Sequence, residues 1–166
     1  MRAKIKHYLK EILLFFVVMT LFANVISLYK STDLNKAKLE IDTVVLLDDI
    51  EYTLPHAKPI LIHLWATWCP TCKMEASNIQ TLSEEYEVLT IAVKSGSDEE
   101  IREYLLDKGL SFNVVNDRDA LLASTFNIGA YPTTFIYDKN KNLVFSEVGY
   151  TSTLGLWIRM WWASLE

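Results

Sequence analysis

The strongest constraint on how this chain folds is the stretch at residues 65–72, Trp-Ala-Thr-Trp-Cys-Pro-Thr-Cys. It contains both cysteines of the protein, separated by two residues. The apolar run at residues 60–64 precedes it and predicts a buried strand. Apolar side chains then recur at helical spacing to about Tyr86. The cysteine pair is therefore expected where a strand turns into a helix, with Pro70 in the first helical turn.

This position favours the thiolate of Cys69. Free backbone N–H groups and the positive end of the helix dipole stabilise an anion at a helix N-terminus, so the pKa of this thiol is expected below that of a free cysteine. Each pKa unit favours the reduced thiolate by roughly 1.4 kcal/mol, or about 30 mV in the two-electron potential. Cys72, one turn further on, is close enough to form a disulfide. The pattern predicts a redox-active Cys69–Cys72 disulfide as the active site, with no other cofactor.

Residues 12–29 form an uncharged, strongly apolar segment. At roughly 17–18 residues, the segment is at the short end of what spans a bilayer. A cleaved signal peptide would end in small residues in an A-x-A pattern, whereas this segment continues Leu-Phe-Ala-Asn-Val. We therefore predict an uncleaved transmembrane helix that attaches the protein to a membrane.

Four regions follow from this prediction: a cytoplasmic N-terminus at 1–11, the anchor at 12–29, a polar tether at 30–42 and a folded domain at 43–166. Four basic residues precede the anchor and three follow it within the tether, a weak positive-inside bias. A dithiol outside the cytoplasm meets oxidising surroundings and needs a redox partner there. We predict a single-pass protein of the inner membrane with its catalytic domain in the periplasm.

The charge of the folded region disfavours nucleic-acid binding. From residue 40 onward, nine Lys and Arg face nineteen Asp and Glu, a net charge of −10. No basic face is available for a phosphate backbone. The sequence also has no phosphate-binding loop, no Ser/His/Asp pattern and no paired metal half-site, so no metal site is predicted.

Predicted strands and helices alternate from residue 43 onward. Strands are predicted at 43–47, 60–66, 88–93, 112–115, 133–137 and 143–148, and helices at 70–86, 97–108, 117–126 and 153–164. Ser97 and Glu100 form a capping box for the second helix, and Gly109 closes it. Alternating elements followed by a hairpin and a helix predict a three-layer α/β/α domain around a central mixed β-sheet.

The last predicted helix carries an apolar face. The side chains on this face are Leu154, Trp157, Ile158, Trp161 and Leu165. Their helical spacing predicts that they pack in the core, with Trp162 beside them at the surface.

The run from Leu64 to Cys72 resembles the thioredoxin superfamily. Within it, the membrane-anchored TlpA/DsbE-like branch is most similar, including the suppressor-of-copper-sensitivity D (ScsD) type. The resemblance rests on the tryptophan-flanked Cys-x-x-Cys turn, on Glu75 three residues after Cys72, and on Ala-Tyr-Pro-Thr at 130–133 before a strand. It covers residues 43–165 and implies a thioredoxin-like fold and a thiol–disulfide oxidoreductase.

The resemblance also implies roles for individual residues. Cys69 is similar to the attacking thiol of the family and Cys72 to the resolving thiol. Pro132 is similar to the cis-proline that faces the disulfide, where it and Tyr131 would bind an extended substrate; an ordinary trans proline is the alternative. Trp68 is expected to shield the disulfide and form part of the substrate platform.

Two acid–base candidates have open roles. His63 stands six residues before Cys69, where thioredoxins carry a buried acid. It is either the acceptor of the Cys72 proton or a hydrogen-bonded core histidine. Glu75 either raises the thiol pKa and relays protons or is simply a carboxylate favoured by the first turn of the helix.

The leading functional hypothesis is a reductase of protein disulfides through a Cys69/Cys72 dithiol–disulfide cycle. The family resemblance implies a DsbD-like membrane electron donor for it. The same chemistry in reverse would make the protein a thiol oxidase or isomerase. The alternative from another class is a tethered Cu(I)-binding protein that uses Cys69 and Cys72, with His63 as a candidate further ligand, because soft thiolates suit that ion.

Overall fold

A computed structural model of the protein describes residues 8, 10–15, 17–19, 22, 34 and 37–166. Its strands within this part of the chain are β1 (Thr43–Val45), β2 (Glu51–Thr53), β3 (Ile60–Trp65), β4 (Glu87–Val93), β5 (Asn113–Asp117), β6 (Thr133–Tyr137) and β7 (Leu143–Val148). The helices of the same domain are α1 (Pro70–Ser83), α2 (Asp98–Lys108), α3 (Leu121–Thr125) and α4 (Thr153–Ala163). One turn of 3-10 helix, Leu47–Asp49, connects β1 to β2.

Five strands form one mixed sheet in the order β5-β4-β3-β6-β7, while β1 and β2 form a separate hairpin. Strand β3 lies at the centre, parallel to β4 and antiparallel to β6. All six of its residues are buried, because strands flank it and both faces are covered. The predicted α/β fold with a central mixed sheet is confirmed.

Alternate residues of β3 contribute to two separate parts of the core. Leu61 and Trp65 pack with residues of α1, α2 and α4. Ile60, Ile62 and Leu64 pack with α3 and the β1–β2 hairpin on the other face. Helices α1 and α2 share a face because successive right-handed crossovers lead from β3 to β4 and from β4 to β5. The last helix, α4, also packs on this face, beside the helix that follows the cysteine turn.

Both ends of α2 follow the predicted signals. The Ser97 hydroxyl accepts a hydrogen bond from the Glu100 N–H at 3.2 Å, and the Glu100 carboxylate accepts one from the Ser97 N–H at 2.7 Å. Gly109 ends the helix in the left-handed region, with φ 63°. A glycine adopts this conformation without a Cβ clash. These signals involve only neighbouring residues, so the sequence was sufficient to predict them.

Helix α3 begins later than predicted. Asp117, expected to begin it, is the last residue of β5. Its carboxylate nevertheless accepts hydrogen bonds from the N–H groups of Leu122 at 3.2 Å and Ala123 at 2.8 Å. A turn through Ala120, with φ 58°, separates strand from helix. Asp117 therefore caps the helix from the end of the strand.

The prediction that one face of the last helix packs in the core is wrong. The buried side chains of α4 are Leu156, Met160 and Ala163, whereas the predicted core residues are exposed, from 41% at Trp157 to 67% at Leu154. Because large apolar residues lie on opposite sides of the helix, apolar spacing does not determine which side meets the sheet. We call the exposed side the outer face of α4. It comprises Leu154, Trp157, Ile158, Trp161, Trp162 and Leu165.

The predicted location of the protein also needs correction. Crossing a bilayer takes about 20 consecutive apolar helical residues, and the described part of the chain contains no helix with that length and character. This finding contradicts the predicted single-pass inner-membrane protein with a periplasmic catalytic domain. The predicted anchor at 12–29 and the predicted tether at 30–42 lie partly outside the described residues, and the N-terminus at 1–11 lies largely outside them.

Candidate active site

The turn between β3 and α1 holds the two cysteines. Cys69 is the N-cap residue of α1, and Pro70 is the first residue of the helix. The Cys69 N–H donates to the carbonyl of Ala66 at 3.1 Å, which closes the turn. Proline fits the first helical position because its φ is already helical and its missing N–H would have no partner there. The strand–turn–helix geometry expected from the sequence is present.

A disulfide joins Cys69 and Cys72, whose Cα atoms are 5.3 Å apart. Both cysteines are buried. The backbone N–H of Cys72 donates to the Sγ atom of Cys69 at 3.2 Å. After reduction, the same N–H would face the sulfur that carries the thiolate charge, in addition to the positive end of the helix dipole. The local geometry thus provides a hydrogen-bond donor for a Cys69 thiolate.

Trp68 and Tyr131 lie side by side next to the cysteine turn. Their rings meet edge to face, with 5.7 Å between centroids. The indole Nε1 of Trp68 donates to the carbonyl of Lys94 at 3.1 Å, while 57% of the residue remains exposed. The ring is therefore held in place and still accessible to a bound molecule.

The peptide bond between Tyr131 and Pro132 is cis, as the resemblance implies. Pro132 is buried and directly precedes β6. Its carbonyl accepts a hydrogen bond from the Gly149 N–H at 2.8 Å. The substrate-binding role of Tyr131 and Pro132 remains a prediction.

Glu75 is fully buried on α1, three residues after Cys72 and therefore on the same side of the helix. Its Oε1 atom accepts a hydrogen bond from the Thr151 N–H at 3.0 Å, and its Oε2 atom has no partner among the described residues. Burial raises the pKa of Glu75 to about 8, with a smaller contribution from the Glu147 carboxylate, while the Thr151 hydrogen bond lowers it. Near neutral pH, Glu75 is therefore mainly a protonated acid.

A row of polar side chains crosses the sheet on the face covered by α1. His63 pairs in register with Thr90 of β4 and Thr134 of β6, and Thr134 pairs with Glu147 of β7. Residues opposite each other in register point to the same face. At the end of the row, Glu147 forms an ion pair with Arg159 of α4 at 2.6 Å. Burial raises the pKa of Glu147, and Arg159 opposes that shift.

His63 is almost completely buried in this row. Its Nδ1 atom lies 3.0 Å from the Oγ1 atom of Thr134. Burial lowers the pKa of His63 to about 3, so the imidazole is neutral at neutral pH. These observations favour the alternative of a hydrogen-bonded core histidine over an acceptor of the Cys72 proton.

We expect the His63 ring to remain neutral from pH 5 to pH 8, because protonation would place a cation in a buried site. NMR chemical shifts of the ring, assigned by comparison with His63→Gln, should not titrate over this range. A titration with a midpoint near 6.5, the value of a solvated histidine, would contradict the buried neutral state.

No pattern in the sequence alone identified Thr134, Glu147, Thr151 or Arg159 as site residues. Glu147 could have been found from the predicted hairpin after β6, because the register of that hairpin places Glu147 opposite Thr134. Thr151 and Arg159 gave no such signal. Their contacts with Glu75 and Glu147 join residues that are far apart in the sequence.

A metal role for the cysteines has no geometric support in the described residues. No group of three or more His, Cys, Asp or Glu side chains in that part of the chain could hold a metal ion. The alternative Cu(I) site would use Cys69 and Cys72, with His63 as a candidate third ligand whose Nδ1 atom lies 3.0 Å from the Thr134 hydroxyl.

The sequence of this chain is similar to those of known proteins that carry out thiol–disulfide exchange. Residues 31–146 match the sequence profile of the AhpC/TSA family. The chain is 34% identical over 113 residues to a thioredoxin-like protein of Haemophilus influenzae, a match that covers 67% of this chain and 66% of that protein. It is 32% identical over 106 residues to the thiol-disulfide oxidoreductase ResA of Oceanobacillus iheyensis, covering 61% and 53% of the two chains. The matches thus span between about half and two thirds of these relatives.

The fold is also found among solved structures. A secreted thiol-disulfide isomerase from Corynebacterium glutamicum superposes with a TM-score of 0.68, covering 81% of this chain and 89% of that chain. The identity of 18% limits this likeness to the fold. The thioredoxin-like architecture is confirmed, and the expected class of enzyme agrees with the curated relatives.

Proposed function

This chain belongs to the AhpC/TSA family, and from that premise we propose that it is a thiol–disulfide oxidoreductase that acts on protein disulfides. One observation carries the proposal: a Cys69–Cys72 disulfide at the first turn of α1, with the Cys72 N–H directed at the Cys69 sulfur. Thiol–disulfide exchange requires a nucleophilic thiolate and a second thiol that can resolve the intermediate. Both are present in this turn.

In the reducing direction, the Cys69 thiolate attacks one sulfur of a substrate disulfide. A bond forms between Cys69 and that sulfur, and the other substrate sulfur leaves as a thiolate. The Cys72 thiolate then attacks the Sγ atom of Cys69, which reforms the Cys69–Cys72 disulfide and releases the second substrate thiolate. Two electrons have passed from the enzyme dithiol to the substrate.

Glu75 supports the proton transfers in this proposal. Burial raises the pKa of Glu75 to about 8, and Glu75 lies on the same side of α1 as Cys72, so its ionised form can accept the proton that the Cys72 thiol loses before it attacks Cys69. Trp68 and Tyr131, in edge-to-face contact, would receive the substrate beside Pro132. Pro70 begins the helix whose dipole acts on Cys69.

The proposal also specifies the direction of electron flow and the redox partners. The resemblance to the TlpA/DsbE-like branch favours reduction, with protein disulfides as substrates and a DsbD-like protein as electron donor. The ScsD-like assignment rests on the same resemblance. Oxidation is the same exchange run in the opposite direction, and isomerisation is the same exchange with no net transfer of electrons.

The redox potential tests this direction. The full chain would be equilibrated with defined ratios of reduced and oxidised dithiothreitol, and the free thiols alkylated and counted by mass spectrometry. We expect a potential closer to that of thioredoxin, about −270 mV, than to that of DsbA, about −120 mV. Reduction of insulin with dithiothreitol as the electron source is the matching activity assay.

The two measurements separate the outcomes. A potential near −120 mV with active exchange would support the oxidase and contradict the reductase. A protein that forms the disulfide but does not accelerate insulin reduction above the dithiothreitol control would contradict the enzymatic proposal.

A further inference from the structure

The outer face of α4 is an apolar surface that nothing in the described chain covers. Four of its residues, Leu154, Ile158, Trp161 and Leu165, follow each other at intervals of four, three and four positions. This is the spacing by which one helix packs against another along a seam. A helix with large apolar residues on opposite sides normally buries both of those sides, and only the inner side of α4 is buried in the domain.

The indoles beside this seam are held by hydrogen bonds at its two edges. The Nε1 atom of Trp157 donates to Glu85 at 3.0 Å, and that of Trp162 donates to Glu166 at 3.0 Å. Their polar N–H groups are therefore satisfied within the chain, and the rings present apolar surface. The carboxylates form a polar rim around an apolar centre, which is the usual anatomy of a protein interface.

The exposed area is sufficient for an interface. The three tryptophans are 41%, 47% and 51% exposed. At about 250 Å² for each side chain, they present roughly 350 Å² of aromatic surface. The three aliphatic residues, each about half exposed or more, add to this area. Two such faces in contact would bury on the order of 1,000 Å², which is where specific interfaces begin.

We propose that the outer face of α4 pairs with the same face of a second copy of this chain, with the two helices antiparallel. A two-fold dimer requires a patch that is complementary to itself. In the antiparallel arrangement, Leu154 of one copy meets Leu165 of the other, and Ile158 meets Trp161. Each Glu166 carboxylate then lies near the positive N-terminal end of the partner's α4, and the two helix dipoles oppose each other.

This dimer leaves the cysteine turn accessible. Trp157 is hydrogen-bonded to Glu85, which lies just beyond the C-terminal end of α1, whereas Cys69 precedes its N-terminal end. A helix of 14 residues is about 21 Å long. The seam therefore runs from the middle of α1, where the Thr153 hydroxyl donates to the Asn78 side chain at 2.9 Å, to the end of α1 remote from the disulfide. Thiol–disulfide exchange should not depend on it.

The test is the mass of the full chain in solution, measured by light scattering and sedimentation velocity from 1 to 200 µM (about the range that separates weak from stable dimers). We expect a dimer whose dissociation constant rises at least about tenfold in Trp161→Glu, because the substitution buries an unpaired charge. The matched control is Leu106→Glu, which changes a residue that is 81% exposed and lies on α2 rather than on the seam of α4. It should remain dimeric, and both variants should retain the exchange rate of the wild type.

A pair of charge variants tests the orientation. Leu154→Lys combined with Leu165→Glu places opposite charges together in an antiparallel dimer, whereas Leu154→Glu combined with Leu165→Glu places like charges together. The first should preserve the dimer and the second should dissociate it. A full chain that is monomeric at 200 µM would overturn the proposal. The outer face of α4 would then be covered by a lipid surface or by the N-terminal residues instead. Equal association of wild type and Trp161→Glu would also overturn it.

Discussion

Replacing Cys69 with serine is expected to lower thiol–disulfide exchange to the uncatalysed rate. A serine hydroxyl is not a thiolate at neutral pH and cannot form a disulfide with a substrate. Serine is also among the best N-cap residues, so the first turn of α1 should remain intact. Insulin reduction by the full chain is the measurement. Thermal unfolding of both proteins under reducing conditions controls for the loss of the Cys69–Cys72 bond.

The matched variant Cys72→Ala should behave differently, because it keeps the attacking thiol and removes the resolving one. A mixed disulfide between Cys69 and the substrate should accumulate, visible as a covalent adduct on a non-reducing gel and locatable by mass spectrometry. Adducts that form on Cys72 in Cys69→Ser, but not on Cys69 in Cys72→Ala, would reverse the two roles. Exchange that persists in both single variants would place the chemistry outside this turn.

The free energy of unfolding is expected to fall as the pH rises above about 5, because Glu75 is protonated in the folded protein. Burial holds the pKa of Glu75 at about 8 in the folded protein, against an ordinary value of 4.5. The folded state thus binds the proton more tightly than the unfolded state. This contribution to stability is complete below about pH 4.5 and is lost as the pH rises through 8. Over that window, the loss approaches about 5 kcal/mol as an upper limit, at 1.36 kcal/mol per pKa unit.

Glu75→Gln should remove most of this pH dependence, because a neutral amide replaces the acid and still accepts the hydrogen bond from Thr151. Denaturant unfolding of both proteins from pH 4.5 to 8.5 gives the difference, which should grow in favour of the variant as the pH rises. His63 acts in the opposite sense below pH 6.5, since its pKa is lowered by burial to about 3. That contribution is common to both proteins and cancels in the difference.

Glu103→Gln on α2 is the matched control for this prediction, since it makes the same chemical change at an exposed position. Its stability should follow the wild type at every pH. A constant difference between Glu75→Gln and the wild type over the whole range would show that Glu75 is ionised in the folded protein, and would contradict its assignment as a buried acid.

The raised pKa of Glu75 depends on its surroundings across the sheet. Glu147 contributes to the shift, and Glu147 is itself held by Arg159 from α4. The last helix therefore affects the acid beside the resolving cysteine through a second carboxylate. Glu75, Glu147 and Arg159 are far apart in the sequence. For this reason only Glu75 was identified from the sequence.

The sequence by itself determined the elements and the cysteine turn. Hydrogen bonds and side-chain spacing within a few residues determine a strand, the Cys-x-x-Cys turn with proline at the first helical position, and the capping box of α2. Such local preferences can be read from the chain directly. They predicted the disulfide, the central sheet and the helices around it.

Only the tertiary structure decided which side of α4 is buried and which form His63 and Glu75 take at neutral pH. An apolar helix has no preferred side until a sheet packs against it, and the pKa of a carboxyl or imidazole group depends on burial and on charges brought close by other strands. His63 meets Thr134, and Glu75 meets Thr151, across more than 70 positions of sequence. These contacts arise from the register of the sheet and the placement of α4, because local spacing carries no information about partners so far along the chain.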